Sequence, residues 1–338
     1  MGKASLLVSL RGWPGRILLA VAGFAIIAFL VRSAGPDRVL HVLLDTARWL
    51  PLIAALELTQ TATDIFAVRM LLGDGRRNVP LSAWIRSSAV AYAMMTLLPA
   101  GRAAGEVGRA TILAKYVGTP PAANASARLS VAFLSGNAVA SAAAFVAVAS
   151  WIGFGAPMSL LLGANVLLVA VSAGSLLAIT KNARVGRWLE KMRRRFVPHD
   201  EEERPSQLPP EAGDTPWRAI GACLVGRCAQ LTQYGVILAA VGGTPSARGA
   251  FVAQGIHLVG ATLGDLFPNQ LGVVDGVYRT FAPVLGLGAA PERALSIAFV
   301  VHTTQLSIAG ICVLIAALTR KEEPREGAPS SARAGAHS

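Results

Sequence analysis

Residues 97–118 read LLPAGRAAGEVGRATILAKYVG, and residues 267–288 read FPNQLGVVDGVYRTFAPVLGLG. The two stretches share an order of landmarks: a proline after an apolar residue, an acid beside a glycine seven residues after that proline, and then an arginine. The acid is Glu106 in the first stretch and Asp275 in the second. Because proline and glycine interrupt helices, each stretch predicts a helix that breaks, and the shared order indicates an internal repeat.

The composition of the whole chain is that of a membrane protein. Of the 338 residues, 53% are hydrophobic and only 15% are charged, against about 25% charged in an average soluble domain. The net charge is +12, and the basic residues stand between and beside apolar runs, which is typical of cytoplasmic loops and not of a nucleic-acid-binding protein. The three cysteines lie within apolar runs without a CxxC pair, so we expect no disulfide framework, metal or cofactor.

The apolar runs and the basic clusters together predict how the chain crosses the membrane. Spans are predicted at about 17–31, 49–68, 120–150, 158–180, 219–241 and 291–318, with a polar connection at 32–48. If both broken segments also crossed fully, the basic stretch 181–217 would lie outside the cell. If each is a re-entrant hairpin, that stretch and both termini face the cytoplasm, as the positive charge requires.

The sequence therefore predicts an all-α, polytopic membrane helical bundle, with about six full crossings and two re-entrant hairpins in an inverted repeat. Residues 1–320 are expected to form the membrane domain, with a first half at 15–180 and a second half at 216–318. Residues 181–217 are expected to form a cytoplasmic linker, and residues 322–338 a disordered cytoplasmic tail.

Candidate functional residues cluster at the first break. Glu106 and Arg109 are three residues apart, so they can pair on one helix face, and Arg102 lies one turn earlier. One interpretation is a site for phosphate, in which the arginines bind the anion and the broken helix end donates backbone N–H groups. The alternative is a structural ion pair that locks the hairpin.

The second break offers a related set of residues. Asn269, Asp275 and Arg279 occupy the symmetry-related stretch, and the same two interpretations apply to them. Arg128 lies early in the span after the first hairpin, where it either completes an anion site or extends its charge to the membrane interface.

Further ionisable residues lie within the predicted spans. Glu57 and Asp64 share one helix face, which must point to the bundle interior or to water. They are candidates for proton coupling, together with His257, Asp265 and His302, although polar packing between helices is an equal alternative for the acids and a lone membrane histidine is more often a hydrogen-bonded core residue. We find no metal-ligand spacing and no catalytic motif, so no catalytic residue is expected.

These stretches also resemble the signatures of a known family. Residues 97–130, LLPAGRAAGEVGRATILAKYVGTPPAANASARLS, are similar to the first signature of the lysylphosphatidylglycerol synthase transmembrane, or flippase-like, family. Residues 267–301, FPNQLGVVDGVYRTFAPVLGLGAAPERALSIAFVV, are similar to the second. Two positions depart from the family pattern. Asp275 stands where glutamate is usual, and His302 stands near the position in the last span where an arginine is common.

The resemblance implies a lipid-handling domain in the cytoplasmic (inner) membrane of a bacterium, without the soluble aminoacyl-transferase domain of the full-length synthases. We expect a transporter, not an enzyme, that binds and translocates an anionic phospholipid or a polyprenyl-phosphate-linked head group between the two hairpins. The alternative is a membrane enzyme or a non-transporting accessory subunit of lipid or cell-envelope glycan synthesis, with enzymes of envelope biosynthesis as partners. The oligomeric state does not follow from the sequence.

Overall fold

The computed structural model describes residues 28–29, 31–32, 35–181 and 216–319. All regular secondary structure in these ranges is helical, which confirms the predicted all-α class. Most of the first predicted span, nearly all of the predicted linker and the predicted tail lie outside the described residues.

Ten α-helices run through the described ranges, and short 3-10 turns join some of them. Single-turn segments follow the first helix and flank the ninth, and a two-turn segment, Gly73–Asn78, precedes the third. The helices are α1 Pro36–Thr46, α2 Leu50–Leu71, α3 Leu81–Leu97, α4 Gly101–Val117, α5 Thr119–Ile152, α6 Pro157–Lys181, α7 Pro216–Ala240, α8 Ala247–Leu263, α9 Val273–Thr280 and α10 Pro291–Leu318.

Four helical stretches within the described ranges are long and apolar enough to cross a membrane, so the chain is a multi-pass membrane protein. They are Pro36–Leu71, Thr119–Ile152, Pro157–Ile179 and Pro291–Leu318. Helix α7 is also long enough, at 25 residues, but it carries Arg227, Gln230 and Gln233, which lower its mean hydropathy. The number of about six crossings remains a prediction.

Residues 36–46 form helix α1, although the sequence analysis expected a polar connection there. Pro36 occupies the first turn, where its missing N–H is no loss. Val39 is buried against Leu295 of α10, and Leu43 packs beside them. These apolar residues recur at helical spacing between charged ones. The segment is therefore amphipathic, and packing against α10 gives its apolar face a partner.

Helices α3 and α4 form the first hairpin, and they pack antiparallel through glycine. A Cβ atom on Gly105 would lie 2.6 Å from the carbonyl oxygen of Ala91, and one on Gly108 would lie 2.5 Å from Met94 Sδ. The sequence analysis took this glycine-rich stretch as the break itself. The break is shorter, because helix resumes at Gly101 and the glycines after it admit the neighbouring helix.

The second hairpin runs from α8 through an irregular turn into the short helix α9. Its turn resembles the first in backbone conformation: Ala100 follows Pro99 with a φ of 51°, and Asn269 follows Pro268 with a φ of 48°. The two turns also touch, since the amide of Ala100 donates to the carbonyl oxygen of Asp265 over 3.0 Å. The tips of both hairpins therefore meet.

The two halves of the chain are packed together around these turns. Helix α7, the first described helix of the second half, packs against α2 and α5, and α10 packs against α3. An apolar cluster around the fully buried Tyr234 and Tyr278 joins α7, α8, α9 and α10 to parts of α2, α5 and α6. A second apolar cluster contains residues of α2, α3, α4 and α5 and of the start of α7.

Candidate functional site

A cavity of about 760 Å³ opens where the two hairpin turns meet. Leu98 and Ala100 of the first turn line it, together with Phe267 and Gln270 of the second. Side chains from α2 to α8 complete the wall, and α10 contributes Gln305. Both halves of the chain therefore build one internal space.

The walls of this cavity differ in polarity. Helix α6 contributes mainly apolar side chains at helical spacing, Leu168, Val169 and Leu176 among them. Helix α2 instead contributes the carboxylates of Glu57 and Asp64 with neighbouring polar groups. An amphiphile, which has a charged and an apolar part, matches such a space.

A chain of alternating charges crosses from α2 into α4. Arg102 Nη1 lies 2.8 Å from Asp64 Oδ2, and Arg102 Nη2 lies 3.5 Å from Glu106 Oε1. Arg109 Nε lies 3.2 Å from Glu106 Oε2, and the Arg109 side chain is only 2% exposed. The spacing of 102, 106 and 109 places all three α4 side chains on one helix face. The acids thus neutralise Arg102 and Arg109 within the protein.

Arg227 of α7 also lines the cavity, and its partners are uncharged. Its guanidinium carbon lies 4.4 Å from the centre of the Phe133 ring, and that of Arg102 lies 3.7 Å from the same ring centre. Arg227 Nη1 donates to Gln230 Oε1. Among the residues that the structure describes, no carboxylate lies within salt-bridge distance of Arg227.

Glu57 is the centre of a hydrogen-bond network without arginine. Tyr92 Oη donates to Glu57 Oε1 over 2.9 Å, and Gln305 Nε2 donates to the same oxygen over 3.3 Å. Gln233 Nε2 and Gln60 Nε2 donate to Oε2 over 3.0 and 3.4 Å. The carboxylate therefore joins α2, α3, α7 and α10 through neutral donors, which fits both interpretations that the sequence left open.

A buried relay lies behind the second turn. Asn269 Nδ2 lies 3.2 Å from His302 Nδ1, and His302 Nε2 lies 3.1 Å from Asp275 Oδ2. Because the amide nitrogen can only donate, Nδ1 accepts and Nε2 carries the hydrogen toward Asp275. The amide of Gly272 also donates to Asp275 Oδ2, over 2.8 Å. His302, which stands near the position where the family commonly has an arginine, therefore connects the second turn to α10.

The structure gathers most of the predicted site residues around the cavity. Three predicted residues do not line the cavity but contact residues that do, directly or through one neighbour. Glu106 pairs with Arg102 and Arg109, and His302 connects Asn269 to Asp275. Arg128 and Arg279 are half-buried and stand outside the lining. Across the described ranges, no group of three or more potential metal ligands is placed to hold an ion. The predicted residues that line the cavity are Glu57, Asp64, Arg102, Arg109, His257, Asp265 and Asn269.

The sequence analysis missed the polar face of α7. Arg227, Gln230 and Gln233 are three residues apart, so they follow one side of a helix that was treated as a plain apolar span. An arginine near the middle of a predicted span was the available signal, because such a charge rarely faces lipid.

The comparisons with known proteins agree with the two signatures in the sequence. The family described as Lysylphosphatidylglycerol synthase TM region matches residues 16–312. No curated protein and no solved structure matches the chain. The family match covers most of the chain, including both hairpins and every helix that lines the cavity. The chain therefore belongs to the lysylphosphatidylglycerol synthase transmembrane family.

Proposed function

We propose that this protein is flippase-like: it binds the head group of an anionic phospholipid or polyprenyl-phosphate lipid in the central cavity and translocates it across the membrane. The observation that carries the proposal is the cavity itself, which has a charged wall from α2, α4 and α7 and a wall from α6 in which Leu168, Val169 and Leu176 stand beside Asn165 and Ser172. Its volume of about 760 Å³ falls within the range of small-molecule sites, about 300–1,000 Å³. It therefore has room for a head group and the start of its chains.

The contact between the two turns supports translocation as well as binding. In transporters built from inverted repeats, the site lies between broken helices and opens to either side as one repeat moves against the other. Here the turns meet through the hydrogen bond from Ala100 to Asp265. Such a small polar contact can break and re-form, whereas the glycine-packed hairpin of α3 and α4 would move as one unit.

A flip assay in proteoliposomes tests the proposal. The protein is reconstituted with lipids that carry a fluorescent label on the hydrocarbon chain, and a panel of phosphatidylglycerol, phosphatidylcholine and undecaprenyl phosphate is compared. We expect faster translocation of the anionic lipids than in protein-free vesicles. Binding without any translocation would instead support the accessory role, and neither binding nor translocation of an anionic lipid would contradict the proposal.

A matched pair of substitutions links the assay to the cavity. Asp64→Asn removes the carboxylate that lies 2.8 Å from Arg102 at the cavity wall, so we expect translocation to fall. Asp74→Asn makes the same chemical change at a side chain that is 94% exposed, and it should leave translocation unchanged. Equal rates for both variants would separate the activity from this cavity.

A further inference from the structure

We infer that Arg227 is the residue that binds the phosphate of the lipid, with Phe133 holding its guanidinium in place. This inference rests on the proposed function, and it names the chemistry that the site recognises: the phosphate of a lipid whose head group has a net negative charge, which phosphatidylcholine lacks because its choline is cationic. One of the two interpretations in the sequence analysis gave this role to Arg102 and Arg109, and the charges around the cavity distinguish the three arginines.

The first step is the balance of charge. Arg102 lies beside two carboxylates, those of Asp64 and Glu106, and Arg109 lies beside Glu106. Arg227 has a neutral amide and an aromatic ring as its partners in the described part of the chain. Asp64 and Glu57 lie close enough to act on Arg227 electrostatically, but in the described part of the chain neither forms an ion pair with it. A bound anion would therefore be its first direct counter-charge.

The second step is the orientation of the guanidinium. The Arg227 guanidinium carbon lies over the Phe133 ring, which also contacts Arg102. Such a cation–π contact holds an arginine without using its N–H groups. Gln254 Nε2 lies 3.4 Å from Gln230 Oε1 and 3.2 Å from the carbonyl oxygen of Arg227. Gln230 is therefore fixed as the acceptor for Nη1. The Arg227 side chain is held before any ligand arrives.

The third step is the remaining donor capacity. The Nε atom of Arg227 is buried, and no hydrogen-bond partner for it is found among the described residues. The Nε atoms of Arg102 and Arg109 share this feature, so it gives Arg227 capacity to bind an anion, and the absence of an ion pair is what distinguishes it. A guanidinium binds phosphate through two parallel N–H groups, and this geometry requires donors that the protein has not used. The apolar face of α6 lines the same cavity, which favours a phosphate attached to a lipid over free phosphate.

Native mass spectrometry of the purified full-length protein tests this assignment. Dioleoyl phosphatidylglycerol is titrated in a background of dioleoyl phosphatidylcholine, and the fraction of protein with bound phosphatidylglycerol gives an apparent affinity. Loss of a charge-assisted contact predicts that Arg227→Gln weakens this affinity at least about tenfold. Arg218→Gln is the matched control, because it removes the same charge from an exposed position on the same helix.

Each outcome separates this inference from the proposed function. If wild-type protein shows no preference for phosphatidylglycerol, and none for undecaprenyl phosphate titrated in the same way, the proposed function itself is contradicted. If the preference exists and Arg227→Gln retains it, or if Arg218→Gln loses as much, the assignment to Arg227 is wrong and the function stands. Inorganic phosphate at millimolar concentration should not displace the lipid, and displacement would overturn the lipid part of the inference.

A second substitution covers the case in which Arg227→Gln does not fold. Arg227→Lys keeps the charge but lacks the planar fork, so it should stack less well on Phe133 and bind phosphate through a single point. We expect an affinity between those of the wild type and Arg227→Gln, with a thermal unfolding midpoint close to that of the wild type. Wild-type affinity in Arg227→Lys would exclude recognition through the fork.

Discussion

Glu106 and Asp275 stand at equivalent positions after the prolines of the two turns, but their surroundings differ. Arg102 and Arg109 of its own helix flank Glu106. Asp275 receives the amide of Gly272 and lies beside His302, which comes from α10. The first acid is therefore held within a single helix, whereas the second links its turn to a distant part of the chain.

The pair of Glu106 and Arg109 makes a prediction about stability. Arg109→Gln leaves Glu106 buried with one arginine fewer, and breaking such a pair from one side costs about 3 kcal/mol. Glu106→Gln likewise leaves Arg109 buried without its carboxylate partner. Each single variant should therefore unfold at a lower temperature in detergent. The double variant should lose clearly less than the sum of the two losses, since neither charge is then left alone. Additive losses would show that the two side chains do not interact.

At the scale of elements, three glycines decide how closely α3 and α4 approach. Gly101, Gly105 and Gly108 lie on the α4 face that meets α3, and a Cβ atom at any of them would meet atoms of α3. The site depends on this approach, because it places Arg102 beside Asp64 of α2 and both Arg102 and Arg109 at the cavity. Close packing through small residues is how helices associate in lipid, where apolar burial alone gives little preference.

Gly105→Ala tests this packing. Its Cβ atom would lie 2.6 Å from the Ala91 carbonyl oxygen, so the helices must separate, and such overpacking typically costs about 1–3 kcal/mol. Gly310→Ala on α10 is the control, because a Cβ atom there meets nothing within 4 Å. Thermal unfolding in detergent should show a lower midpoint for Gly105→Ala and no loss for Gly310→Ala. An unchanged midpoint for Gly105→Ala would mean that the hairpin tolerates a wider spacing.

For the whole molecule, orientation in the membrane follows from where the positive charges lie. Residues 181–217 carry a basic cluster that favours the cytoplasm, and both termini are expected on the same side. This topology requires that each hairpin enters and leaves on one side. The tips of the two hairpins touch through Ala100 and Asp265. Such a contact is compatible with hairpins that enter the membrane from opposite faces.

Cysteine accessibility in a variant without native cysteines tests the topology. The residues to be replaced are Cys223, Cys228 and Cys312. A cysteine at Ser206, in the predicted linker, should react with a membrane-impermeant maleimide only after the cells are permeabilised. A cysteine at Gly155, in the turn between α5 and α6, should react in intact cells, because one predicted crossing separates it from the linker. Labelling of the Ser206 position in intact cells would contradict the predicted crossings and the orientation.

The sequence by itself determined the membrane class, the helical fold, the family and the two proline breaks. These features depend on local composition and spacing, which do not require knowledge of distant neighbours. For the same reason it grouped Arg102, Glu106 and Arg109 on one face of a helix. The sequence analysis placed residues 36–46 in a polar connection, because their helical structure depends on packing against α10.

Only the tertiary structure decided which of the three cavity arginines, Arg102, Arg109 and Arg227, forms no ion pair among the described residues. Asp64 and Arg102 are 38 residues apart in the chain, and they meet because α4 folds back over α3 and lies beside α2. Arg227 reaches Phe133 because α7 of the second half packs against α5 of the first. The balance of charge in a buried site is a sum over side chains that folding brings within a few ångströms, and no spacing along the sequence contains that sum.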